Sequence, residues 1–283
     1  MGKDKQLSES DKPLAGKRAL ITGASRGLGD AIARRFAAAG AELALAARDH
    51  EALKSVAAQV EGKTQLIAVD LSAANDVERL IDECGEVDIL VNNAAVQGPI
   101  GPFASVDFAA WQAVFQVNLF APARICGQLV EQMKQRKWGK IINLSGGGAT
   151  GPRPDFSAYA ASKCALVRFS ETLAAELSGA GIDVNCMAPG AMNTRMLEEV
   201  LAAGPGREFE RAIKQKQSGG ASPQQAAELA LFLASPASDG ITGRLFSAVW
   251  DPWQSTAAHR QELEKSDIYT LRRIVPEDRG QKW

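Results

Sequence analysis

From Arg18 onward the chain alternates short apolar runs with longer stretches whose apolar positions recur at helical spacing. The β-prone runs are RALITG from Arg18, ELALAA from Glu42, QLIAVD from Gln65, VDILVNN from Val87, KIINLS from Lys140, DVNCMA from Asp183 and RLFSAV from Arg244. Most are continuously apolar, the pattern of strands covered by helices on both faces. Strands alternating with helices predict an α/β domain with a parallel, doubly wound sheet.

The helical stretches carry their own punctuation. AIARRFAAAG runs from Ala31 to Gly40, a natural helix stop because glycine accepts positive φ. Between Phe108 and Lys137 one stripe at 3.6-residue spacing holds Trp111, Val114, Phe115, Asn118, Ala121, Ile125, Cys126, Leu129 and Met133. Asn118 is therefore expected on a buried face, and Pro122 predicts a kink just before it. Around Gly204, Pro205 and Gly206 the pattern breaks, so residues 196–217 are expected to form one or two short helices over a cleft, as a lid.

Composition narrows the function classes. With 32 basic and 33 acidic residues the net charge is -1, which gives no field for nucleic acid or an anionic membrane and favours a small-molecule partner. No apolar run approaches the roughly 18 residues of a membrane span. The polar opening, residues 1–13, has no signal-peptide pattern and is expected to be a mobile tail, with the cytoplasm as compartment. The domain proper is expected over 14–249, followed by an extension over 250–283. Cys84, Cys126, Cys164 and Cys186 are scattered and read as buried reduced thiols, and His50 and His259 as surface groups, so no metal is expected.

Two motifs carry chemistry. The first strand ends in TGASRGLG, with glycines at Gly23, Gly27 and Gly29. Such a strand-to-helix turn brings backbone close to a pyrophosphate, whose charge the helix N-terminus stabilises. Farther on, Tyr159 and Lys163 stand four apart in a helical pattern, which puts phenol and ammonium on one face. A phenol with pKa about 10 is a poor base near neutrality. A neighbouring lysine cation is expected to lower that value and let Tyr159 exchange a proton with an alcohol or ketone.

With these motifs the sequence resembles the short-chain dehydrogenase/reductase family over about Leu14 to Gly243. The resemblance rests on TGASRGLG, the Asp70–Leu71 pair, NNAA from Asn92 to Ala95, Asn118, Ser145, Y-x-x-x-K from Tyr159 to Lys163, and P-G-x-x-x-T from Pro189 to Thr194. It implies a Rossmann-type, three-layer α/β/α fold with a seven-stranded parallel sheet, a nicotinamide cofactor, and a homodimer or homotetramer. The implied cofactor contacts are Gly23, Ser25, Arg26, Gly27, Leu28 and Gly29 in the turn, Asp70 and Leu71 beside the adenine, and Asn93 near the adenosine ribose. Pro189, Gly190 and Thr194 would flank the nicotinamide. Tyr159 and Lys163 would serve both cofactor and catalysis, Asn118 would hold a water beside the lysine, and Ser145 would orient the substrate carbonyl.

The chain departs from the family at two points. The family serine usually stands thirteen residues before the tyrosine, where this chain has Gly146; either the following loop holds one extra residue and Ser145 fills the role, or the site lacks its serine. Ala95 replaces a usual glycine. Cofactor choice is expected to favour NADP over NAD, because Ala47 occupies the place of the acid that suits a ribose hydroxyl, and Arg48 and Arg26 stand ready for a 2′-phosphate.

The expected reaction is hydride transfer between nicotinamide and a secondary alcohol or its ketone. Alternatives are a non-catalytic nucleotide-sensing protein and an epimerase or dehydratase with tightly held NAD. Arg153, Arg195, Arg207 and Arg211 are candidates for an anionic substrate group. In the extension, Trp250, Trp253, Tyr269 and Leu271 are expected to pack on the domain or on a neighbouring subunit, or else Trp250 or the pair Arg272 and Arg273 help form the substrate pocket.

Overall fold

A strand apolar on both sides needs cover above and below, and the chain supplies it with a helix after almost every strand. The computed structural model describes residues 12–283, so the expected tail over 1–13 lies almost wholly outside the described residues. Its strands are β1 (Arg18–Thr22), β2 (Glu42–Ala47), β3 (Thr64–Ala68), β4 (Ile89–Asn92), β5 (Gly139–Leu144), β6 (Ile182–Ala188) and β7 (Leu245–Ser247). They form one seven-stranded sheet in the order β3-β2-β1-β4-β5-β6-β7. Every pairing is parallel.

The helices are α1 (Gly27–Ala38), α2 (His50–Ala57), α3 (Ala74–Glu83), α4 (Phe108–Phe115), α5 (Ala121–Arg136), α6 (Ser157–Glu176), α7 (Arg195–Ala202), α8 (Phe209–Ser218), α9 (Pro223–Ala234) and α10 (Arg260–Glu264). Side chains alternate across each strand. Ala19, Ile21, Ile142 and Leu144 therefore join one core layer with Ile32 and Phe36 of α1 and Leu229 and Leu233 of α9. Leu20, Leu90 and Ile141 join the other, with Val77 of α3 and Ile125 and Leu129 of α5. The strand order reverses between β1 and β4, and their C-terminal ends open the crevice where a doubly wound sheet binds ligands.

Three local outcomes refine the expectations. α1 begins at Gly27, earlier than its apolar pattern, and ends before Gly40, whose φ is +93°. The kink expected before Pro122 is a π-helical turn over Gln116–Phe120, joining α4 to α5 and carrying Asn118. Cys164, expected to be buried, is exposed on α6, whereas the other three cysteines are buried. No helix among the described residues is long and apolar enough to cross a membrane.

The extension packs on its own domain. Trp253 is buried, with its ring 5.7 Å from that of Phe232, and Tyr269 lies 4.9 Å from Phe246 of β7. Trp250 is 84% exposed, and Arg272 is held by ion pairs with Asp267 and Asp278. Trp250, Arg272 and Arg273 are absent from the lining of the main cavity, so this crevice takes no wall from them.

Candidate active site

The crevice is a cavity of about 590 Å³, within the range of small-molecule sites. Its floor is the turn from β1 into α1. A Cβ on Gly23 would stand 2.9 Å from the Ala94 α-carbon, and one on Gly29 only 2.2 Å from the Gly23 carbonyl oxygen, so this tight turn admits no side chain at either place. The side-chain amide of Asn93 braces it by donating to the carbonyls of Thr22 (2.9 Å) and Gly23 (3.1 Å). Arg26, at the helix N-cap, is extended and offers no side-chain cap, which leaves the first N–H groups of α1 open for an anion. Thr194, likewise uncapped at the start of α7, lies opposite Gly27, at 3.9 Å from where a Cβ would be.

Of the residues singled out in the sequence, Gly23, Ser25, Arg26, Gly27, Leu28, Arg48, Asp70, Leu71, Asn93, Ser145, Tyr159, Lys163, Pro189, Thr194 and Arg195 line this cavity, whereas Arg153, Arg207 and Arg211 do not. Gly29, Asn118 and Gly190 lie behind its wall. The Asp70 carboxylate accepts from the backbone and hydroxyl of Ser72, at 2.9 and 2.8 Å. At the rim Arg48 is exposed, and Asp49 turns its carboxylate to the N–H of Ala52 at 3.0 Å to cap α2. An uncapped helix start, a side-chain-free turn and exposed arginines form a donor set suited to a dinucleotide phosphate.

Tyr159 and Lys163 sit one turn apart on α6, both buried. The Lys163 ammonium donates to the Leu144 carbonyl at 2.6 Å and lies 5.8 Å from the Tyr159 ring centre. Burial lowers its pKa to about 8. The expected lowering of the Tyr159 pKa by Lys163 is not what this geometry gives. Burial raises the phenol's pKa, and the cation that opposes the rise is Arg153. Asn118 is fully buried, and its side chain accepts from Val96 N–H (2.9 Å) and donates to the Val96 carbonyl (2.9 Å) and the Ser162 hydroxyl (3.0 Å).

Ser145, expected either to fill the serine role or to leave the site without one, lines the same cavity as Tyr159. Its Oγ is enclosed without a hydrogen-bond partner. Its N–H continues the ladder to Met187, so the backbone is still strand-like and adjacent side chains point to opposite sides. The residue that faces the phenol is Gly146: a Cβ built there would lie 2.4 Å from the Tyr159 hydroxyl. The position thirteen before the tyrosine is thus where the family pattern puts it, and it holds glycine.

The lid closes this end. Leu197 and Val200 of α7 and Ala212 of α8 pack with Phe156 and Tyr159 in one apolar cluster. Gln97, buried in the loop after β4, donates to the Met196 carbonyl at 3.3 Å. Sequence reasoning missed Gln97 and Ser162; the only available signal was their adjacency to the NNAA and Y-x-x-x-K motifs.

Comparison with known proteins adds three findings. A family model described as short chain dehydrogenase matches residues 17–204. Among curated relatives, Nodulation protein G of Rhizobium sp. (strain N33) is 36% identical over 244 residues, covering 82% of this chain and 94% of that protein. For 3beta-hydroxysteroid dehydrogenase 1 of Eggerthella lenta the identity is 37% over 240 residues, covering 81% and 91%. A solved structure from Beutenbergia cavernae, described as an NAD(P) dependent gluconate 5-dehydrogenase with bound NADP, matches with a TM-score of 0.75 at 30% identity, covering 84% of this chain and 97% of that one.

Proposed function

Because this chain belongs to the short chain dehydrogenase family, we propose that it transfers a hydride between a nicotinamide cofactor and a secondary alcohol or its ketone. The observation that carries this reading is the joint placement of Tyr159 and Lys163 on the wall of the cavity floored by the glycine turn. The cofactor, when bound, supplies or accepts the hydride. Tyr159 gives or takes the accompanying proton at the substrate oxygen. Lys163, fixed by the Leu144 carbonyl, orients the cofactor ribose and relays that proton. Asn118 acts at one remove, its amide holding the Val96 backbone and Ser162 in place beside the dyad. NADP is the assigned cofactor, supported by Arg26 and Arg48 at the cavity rim with Ala47 in place of an acid.

The test is NADPH consumption over a panel of ketones. Tyr159→Phe should lower turnover by a factor of about 100 or more while leaving cofactor affinity nearly unchanged. Ser145→Ala tests the serine's register: a loss of turnover assigns the orienting role to Ser145, and turnover within about tenfold of the parent assigns its hydroxyl none. Normal turnover in the Phe variant rejects the mechanism. Glycine at 146 is the observation that favours a second reading, a cofactor-binding protein without turnover; a parent that binds NADPH yet consumes none with any ketone would establish it.

A further inference from the structure

Beside the phenol the chain carries a cation that the proposed hydride transfer does not use. Arg153 packs beside Gly147 and Gly148: a Cβ on Gly147 would stand 3.9 Å from its Cδ and Nη1, and one on Gly148 3.4 Å from its Cβ. Its guanidinium stacks on Phe156, 3.8 Å from the ring centre, and lies 5.9 Å from the centre of the Tyr159 ring. The side chain is only 24% exposed. Its one carboxylate neighbour among the described residues is Glu208, just before the lid helix α8, at 3.9 Å, too far for a hydrogen bond. Glu208 itself bonds Arg211 at 2.9 Å. A guanidinium has five N–H donors, and this one donates no hydrogen bond within the described residues.

Partly desolvated, unsatisfied donors beside the Tyr159 ring are the makings of a recognition site, and a planar guanidinium matches a carboxylate bidentately. We infer that Arg153 binds the carboxylate of a short oxo or hydroxy acid whose carbonyl or carbinol oxygen meets Tyr159, and that Glu208 occupies the approach until the acid displaces it. This rests on the proposed hydride transfer for its account of the reacting end. The glycine at 146 fits the same picture: it puts no side chain against the Tyr159 hydroxyl, which leaves that side of the phenol free for a small acid. Of the four arginines singled out in the sequence, Arg195 lines the cavity but is paired with Glu199, Arg211 is paired with Glu208 and Arg207 is exposed, whereas Arg153, just outside that lining, is the one beside the Tyr159 ring.

The test uses the full chain with NADPH and short straight-chain 2-oxo and 3-oxo acids, each beside its methyl ester. Two readouts are taken: kcat/KM, and the rise in melting temperature on adding acid or ester, which needs no turnover. The parent should favour at least one acid over its ester by about tenfold or more, the scale of a hydrogen bond to a charged group. Arg153→Gln should erase that preference, bringing the acid-to-ester ratio of kcat/KM to about one. Glu208→Gln should increase it by removing the competing carboxylate. A merely structural Arg153–Glu208 contact predicts instead that both variants lose stability and neither changes the acid-to-ester ratio, which overturns the inference. Esters favoured by the parent, or no acid raising its melting temperature above the ester's, overturn it as well. Acid binding that depends on Arg153 without any turnover would leave this site standing and remove the hydride-transfer reading. Turnover of neutral ketones without acid preference would do the reverse.

Discussion

Burial takes the Lys163 amine from an ordinary 10.5 to about 8, because the ammonium has exchanged water for one carbonyl and apolar walls. The consequence for stability has a definite sign. Below about pH 8 both native and unfolded lysine hold the proton, and the cost of the buried charge is felt in full. Between 8 and 10.5 the native amine releases its proton while the unfolded one keeps it, so the unfolded state binds more protons and stability rises with pH. Buried thiols and phenols with raised pKa values pull the other way at alkaline pH, so the clean measure is a difference. Urea unfolding of the parent and Lys163→Met, compared from pH 7 to 10, should move in the parent's favour by about 2–3 kcal/mol. A difference that stays flat with pH means that the amine is not buried as described. In the active site the same burial leaves Tyr159 dependent on other charges, with Arg153 the cation that opposes its rise.

At the scale of elements, two turns decide which cofactor fits: the one from β1 into α1 and the one from β2 into α2. The second could hold an acid against a ribose hydroxyl, but it begins at Ala47, and the following acid, Asp49, is committed to capping α2. Arg48 is thereby free of that neighbour, at the rim of the same cavity as Arg26. The parent should prefer NADP, and Arg48→Ala should reduce its NADP-to-NAD ratio of kcat/KM by about tenfold, the loss of one charge-assisted contact. A ratio that does not move assigns Arg48 to solvent. The strands behind these turns were legible because buried parallel strands are continuous apolar runs, as β1 and β4 show. The start of α1 was not, since Gly27 and Gly29 carry no apolar pattern: Gly27 owes its place to a φ of +59° and Gly29 to close packing. Pro122 announced an irregularity in the long helix, but the π-turn before it is a matter of packing around Asn118. Which of Ser145 and Gly146 abuts the Tyr159 hydroxyl stayed open in the sequence for a simpler reason. Counting residues cannot tell which of two neighbours faces a helix, and a one-residue change in register reverses the answer.

At the scale of the whole molecule, the extension solves a problem set by β7, a three-residue strand at the end of the sheet. An open edge strand is a template for association unless covered. Here Leu245 donates its N–H to the Tyr269 carbonyl at 2.8 Å, so the extension caps the edge. Arg244 fastens it, donating to the carbonyls of Leu263, Ser266 and Ile268. Trp253 and Leu263 then enter the same core layer as α1 and α9. The segment is thus part of the fold on one side and exposed on the other, where Trp250 and Trp283 are 84% and 89% accessible. Paired substitutions separate the two sides. Trp253→Ala empties a core site and should cost about 3–5 kcal/mol, lowering the melting temperature by roughly 10 °C in a domain of this size. Trp250→Ala removes a side chain that buries little and should stay within about 0.5 kcal/mol. Scanning calorimetry of the two variants beside the parent reads both. Equal melting temperatures would mean that the extension rests on the domain without contributing to its core, and a loss confined to Trp250→Ala would place its stabilising contact in an assembly of chains.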